Sequence, residues 1–194
     1  MIKERINSLR KLMSERELDV YLIPTSDFHE SEYVGDFFKS RRYMSGFTGS
    51  AGTLIVTKEE AGLWADGRYF IQAEQQLEGS GIELYRMGTQ GVPKVDNFIV
   101  DKTPKGGKVG FDGRVIDTLM GTKLEKKLKK KEATIYSSED LVDIVWEDRP
   151  ALSSEPAFLL DIKYSGKSAA DKLIEVRKVM KEEGATTFIL TTID

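Results

Sequence analysis

Residues 10–27 recur without a gap as residues 177–194, an offset of 167. Arg10-Lys11 answers to Arg177-Lys178, Met13 to Met180, Glu15 to Glu182, Thr25 to Thr192 and Asp27 to Asp194, with Tyr21-Leu22-Ile23 opposite Phe188-Ile189-Leu190. The first copy reads as a helix followed by a strand. Ile2, Ile6, Leu9, Leu12 and Met13 fall at helical spacing, and the helix should end near residues 15–17, before the apolar run 19–23 that Pro24 stops. Self-similarity at domain length points to a duplicated domain rather than a solenoid, whose periods are much shorter. A lone helix and strand cannot complete a core. The second copy is therefore expected to be the start of another domain in a longer parent. Chance similarity of two helix-strand units is the competing reading.

Between the copies, helical and strand patterns alternate. Residues 53–57 and 61–64 read as a hairpin around a Lys-Glu-Glu turn. Asp66 is placed to cap a helix that carries Phe70, Ala73 and Leu77 on one face and stops at Gly79 and Gly81. Residues 82–87 and 108–112 read as strands, 95–100 as part of a short helix, and 133–136 as a strand. The alternation predicts an α/β fold. Near Arg149-Pro150 the texture changes to the loop PALSSEP, so the expected division is a first domain over 1–155, with a linker and the opening of a second over 156–194.

Composition mainly excludes. The 194 residues contain no cysteine and one histidine, His29, which removes disulfides, thiolate metal sites, a cysteine nucleophile and any site needing two imidazoles. A Ser-His-Asp triad would have to use His29. The 29 Lys+Arg against 32 Asp+Glu give a net charge of −3, without the basic excess expected of a nucleic-acid binder. The six lysines in KLEKKLKKKE (123–132) surround Leu124 and Leu128 at i and i+4, the pattern of a surface helix with a narrow apolar stripe. No apolar run approaches the ~18 residues of a membrane span, and the charged amphipathic start does not resemble a signal peptide, so the expected location is the cytosol, with no membrane or nucleic-acid partner.

Three segments could carry chemistry. Gly46, Gly49 and Gly52 recur every three residues, but the loop leads into a strand, whereas a phosphate loop needs a following helix. Positive φ and close backbone approach account for these glycines. Asp27, His29, Glu30, Glu32 and Asp36 gather acids around one imidazole; a hydrogen-bonded cap over the first strand explains them better than a metal site, and Arg41-Arg42 could pair with them. In WADGRYF (64–70), a strand end, an Asp-Gly turn and a helix start would place Arg68 in a first helical turn, where a cation opposes the helix dipole. It needs a carboxylate partner, such as Asp66 or a neighbouring domain, or another use: its planar fork suits a carboxylate or peptide carbonyls.

DFHESEY (27–33), RRYMSGFTGSAGT (41–53), WADGRYFIQA (64–73) and LVDIVWEDRP (141–150), in that order, resemble the N-terminal region of the three-domain cytosolic Xaa-Pro aminopeptidases (aminopeptidase P) of the creatinase and prolidase superfamily. The resemblance implies a mixed β-sheet flanked by helices, a second N-terminal domain of similar fold, and a C-terminal "pita-bread" catalytic domain outside this segment. That absent domain would hold two divalent metal ions, usually manganese, leaving no catalytic or metal-ligating residue here and the isolated segment inactive. The parent would be a hydrolase that removes an N-terminal residue preceding proline. Family members often dimerise, mainly through regions outside this segment. Arg68 matches the family's substrate-peptide contact, and His29, Trp64, Asp66 and Tyr69 are candidate cleft-lining residues. The other functional class to weigh is a non-catalytic peptide-binding or protein-interaction module of the same fold.

Overall fold

The apolar run after the first helix becomes the central strand β1 (Val20–Pro24). On one side lie the hairpin β2 (Thr53–Thr57) and β3 (Ala61–Ala65), then β4 (Glu83–Arg86); on the other lie β5 (Lys108–Phe111) and β6 (Thr134–Tyr136). The computed structural model describes residues 1–190. The sheet order is β4-β3-β2-β1-β5-β6, and β2 alone runs against the other five strands. The C-terminal ends of β1, β3, β4, β5 and β6 therefore share one edge of a mixed sheet.

Alternation along each strand divides its side chains between two cores. Tyr21 and Ile23 of β1, Leu54 and Val56 of β2, and Leu63 and Ala65 of β3 face one side. There they meet Ile6, Leu9 and Met13 of α1 (Ile2–Glu15), Met44 of α2 (Ser40–Ser45) and Ala73 and Leu77 of α3 (Phe70–Leu77). Val20, Leu22, Ile55 and Trp64 face the other side, against Phe98 and Ile99 of α4 (Val95–Lys102) and Leu124 and Leu128 of α5 (Thr118–Leu128). Burial on both faces is why β1 reads as a continuous apolar run. The last helix of this layer, α6 (Leu141–Val145), closes the first core with Leu141 and Val142.

The lysine-rich helix begins earlier than its charge pattern suggests, because the Asp117 carboxylate caps it by accepting from the Met120 N–H at 2.8 Å. Its lysines are not all solvated. Lys123 and Lys127 reach Asp96 on α4 at 2.7 and 2.9 Å, and Lys131 donates to the Val100 carbonyl at 2.7 Å. The short α2, absent from the sequence reading, ends on Gly46 at φ +75°, where glycine fits a left-handed turn.

The chain divides into two compact units, Met1–Leu152 and the residues from Ser153 onward. The second unit contains the short helix α7 (Ile162–Ser165) and α8 (Ala169–Glu182), capped by the Ser168 hydroxyl accepting from the Asp171 N–H at 3.1 Å. The expectation that Phe188-Ile189-Leu190 repeats β1 as a strand is not met: residues 185–190 form none. β1 is a strand because β2 and β5 pair with it on both sides, and 188–190 have no such partner among the described residues. The matched Thr192 and Asp194 lie outside the described residues.

Candidate functional site

Strand β3 ends at Ala65, and the chain turns at the shared C-terminal edge through Asp66-Gly67-Arg68. The Asp66 carboxylate grips Arg68 three times. Oδ1 accepts from the Arg68 backbone N–H at 3.1 Å and from Nε at 2.9 Å, while Oδ2 accepts from Nη2 at 2.9 Å. The Arg68 guanidinium holds the Asp66 carboxyl at about 2, and Asp66 in turn raises the guanidinium. Arg68 is 68% exposed, and among the described residues its Nη1 has no hydrogen-bond partner. The result is a fork oriented by one carboxylate, with its remaining donors available to an acceptor from outside.

This corrects the sequence reading in two respects. Helix α3 starts at Phe70 with Tyr69 as its uncapped N-terminal boundary, so Asp66 does not cap the helix and Arg68 lies before its first turn. Asp66 is occupied with the residue two positions on, an Asx turn that competes with helix capping. Tyr69 supports the arrangement: the Arg68 guanidinium carbon is 5.1 Å from its ring centroid, and its hydroxyl is 2.6 Å from Ser50 Oγ.

The remaining candidates separate. Trp64 is buried, stacked 4.0 Å from Tyr85, and its Nε1 donates to the Pro93 carbonyl at 2.8 Å; it borders a groove of about 500 Å³ with Val92, Leu119 and Met120 rather than joining Arg68. His29 is exposed, and its backbone N–H, with that of Ser31, donates to Asp27 Oδ1 at 2.8 and 3.0 Å. Burial works to raise the Asp27 carboxyl, and these bonds hold it below the usual range. Asp36 pairs with Lys39.

Arg41 does not pair with these acids, because its fork closes the glycine-rich loop. Nε donates to Thr25 Oγ1 at 2.9 Å, Nη1 to the Phe47 carbonyl at 2.6 Å, and Nη2 to the Gly49 carbonyl. Burial lowers its guanidinium to about 10. Glycine is required at 49 because a Cβ there would enter the Phe47 ring. A cavity of about 280 Å³ opens beside this loop, lined by Thr25, Glu32, Tyr33, Arg42 and Ser50 among others.

One feature of this edge escaped the sequence reading. Asp112-Gly113-Arg114 follows β5 as Asp66-Gly67-Arg68 follows β3, and the same atoms bond. Asp112 Oδ1 accepts from the Arg114 N–H and Nε at 3.0 and 2.9 Å, and Oδ2 accepts from Nη2 at 3.0 Å. The signal was present as the repeated tripeptide Asp-Gly-Arg at the ends of two strands.

The family model described as "Creatinase/Prolidase N-terminal domain" matches residues 5–145, and a second model of the same description matches 148–194. A relative from Sordaria macrospora named "Probable Xaa-Pro aminopeptidase P" is 42% identical across 98% of this chain and 31% of its own length. "Aminopeptidase P2" of Arabidopsis thaliana is 39% identical across 100% of this chain and 28% of its own. Among solved structures, the X-prolyl aminopeptidase of Caenorhabditis elegans, described as a cytosolic enzyme with a di-nuclear active site, superimposes with a TM-score of 0.82 at 34% identity, over 95% of this chain and 32% of that one. The chain thus spans about a third or less of the length of these relatives.

Proposed function

The chain belongs to the creatinase/prolidase N-terminal domain family, and from that premise we propose that it is the substrate-facing N-terminal part of a metal-dependent aminopeptidase that releases an N-terminal residue preceding proline. The first domain covers 1–155, and 156–194 is a linker with the opening of a second domain. The observation that carries the reading is the Arg68 fork, fixed by Asp66 at the strand-end edge with donors to spare, in a chain whose relatives carry the name Xaa-Pro aminopeptidase.

The role assigned to this chain is binding and orientation. Arg68 donates to a carbonyl or carboxylate of the peptide, Asp66 fixes the plane of the guanidinium before the peptide arrives, and Tyr69 and His29 border the path. Preorganisation of this kind lowers the entropy lost on binding and holds the scissile bond in register with catalytic groups elsewhere. Among the described residues no group of three or more His, Cys, Asp or Glu side chains could hold a metal ion. In this reading the di-nuclear manganese chemistry belongs to another part of the parent protein, which acts in the cytosol as a dimer.

The test is turnover by the full-length protein with manganese. Release of the N-terminal residue from an Xaa-Pro peptide, with an Xaa-Ala peptide spared, is the expected result. Peptide binding without turnover would instead identify a non-catalytic module.

A further inference from the structure

We propose that Arg114 is a second substrate-contact residue, which receives the peptide chain about four residues away from Arg68 and gives longer peptides a contact that short ones cannot make. The inference rests on the peptidase reading and deepens it by naming the substrate class: peptides of at least five residues.

The geometry supplies the argument. Both arginines follow parallel strands, so both turns lie on the same sheet edge. They have the same internal bonding: a carboxylate two residues earlier takes the backbone N–H, Nε and Nη2, and among the described residues Nη1 has no hydrogen-bond partner in either. Arg114 is 53% exposed, and its guanidinium carbon is 5.3 Å from the centroid of Phe28, which is itself partly exposed on the tail that follows β1.

The strands bearing the two turns, β3 and β5, are separated by β2 and β1, which makes three inter-strand steps or about 14 Å. An extended peptide advances ~3.3 Å per residue, so about four residues bridge the two forks. Crevices lie along that interval. The cavity of about 280 Å³ beside the glycine-rich loop and a second of about 380 Å³, lined by Ser26, Glu30, Val115 and Asp117, share Thr25 between them. The second crevice opens between β1 and β5, where the chain, having built the sheet outward from β1 to β4, crosses to its other side. Such a switch point outside the carboxyl ends of strands is where open α/β sheets bind ligands.

Nη1 of Arg114 can donate to a main-chain carbonyl or to the peptide's terminal carboxylate. Free-acid and amidated peptides separate these sources. The experiment measures kcat/KM and Kd for Xaa-Pro tripeptides and heptapeptides, each in both forms, on the full-length protein, its Arg114→Ala and Arg114→Lys variants, and Arg68→Ala. Arg114→Ala is expected to lower the heptapeptide-to-tripeptide ratio of kcat/KM about tenfold, mainly through KM, with Arg114→Lys intermediate and thermal unfolding reporting on the fold. Equal loss for acid and amide identifies a carbonyl; loss for the acid alone identifies the terminal carboxylate. A ratio unchanged by Arg114→Ala overturns the proposal. If the unmodified protein turns over no Xaa-Pro peptide, the peptidase reading fails, and the length dependence of Kd still decides the role of Arg114.

Discussion

Arg149 Nη1 lies 2.6 Å from Asp140 Oδ2 with both side chains more than nine-tenths buried, so an ion pair nine residues apart in sequence ties Arg149 to the start of α6. The same guanidinium reaches the Phe37 carbonyl at 2.8 Å and Ser40 Oγ at 3.0 Å, and Asp140 also caps α6 by accepting from the Val142 N–H at 3.0 Å. Removing one partner of a buried ion pair costs about 3–5 kcal/mol, and among the described residues the Asp140 carboxylate would keep only the more distant cation of Arg114, whose Nη2 lies 3.7 Å from its Oδ2. Urea unfolding of Arg149→Ala should show a loss of that size, and exceed the loss in an Arg149→Ala, Asp140→Asn double variant measured against Asp140→Asn alone.

Asp96 gives the stability a pH dependence on the acid side. Burial acts to raise its carboxyl, but the ammonium groups of Lys123 and Lys127 outweigh this and draw it down to about 2. A carboxyl lower in the folded than in the unfolded state stabilises above its unfolded value of about 3.9, and that contribution is lost as pH falls through the folded value. Stability should therefore fall from pH 4 toward pH 2, and Asp96→Asn should flatten that limb. An identical acid limb in the variant would remove Asp96 from the explanation.

The Gly49→Ala substitution should destabilise the loop through volume alone. Its new methyl would overlap the ring of Phe47, which is fully buried and cannot swing outward. Overpacking of this kind typically costs 1–3 kcal/mol, about 2 kcal/mol at the centre of that range. Differential scanning calorimetry should record a lowered Tm, whereas alanine at the solvent-facing Gly88, where a Cβ meets nothing within 4 Å but φ is +83°, carries only the backbone cost.

What could be read in the sequence is what depends on neighbours along the chain. The apolar runs of β1, β2 and β3, the 3.6-residue period of α1 and the Asp-Gly turn before Arg68 are local patterns, and each maps onto an observed element. Helix α2 has six residues and no apolar period, so nothing local announced it. Proximity of charge offers Arg41 acidic partners, but its actual partners, the carbonyls of Phe47 and Gly49, come within reach only in the folded loop. Trp64 lies two residues before Asp66 and shares a motif with Arg68, yet strand alternation turns it into the opposite core. Arg114 was within reach of sequence reasoning, since its tripeptide is the one that marked Arg68; only the strand order shows that both turns lie on one edge.

The central claim is that the Arg68 fork, held by Asp66, positions the peptide. The most direct measurement is kcat/KM of the full-length protein toward an Xaa-Pro peptide, before and after Arg68→Ala. A charge-assisted hydrogen bond is worth ~1.5–3 kcal/mol, so the account predicts a fall of about 10- to 100-fold, with Asp66→Asn causing a smaller fall in the same direction because the fork loses its orientation. Unchanged kcat and KM in a folded Arg68→Ala protein would contradict it.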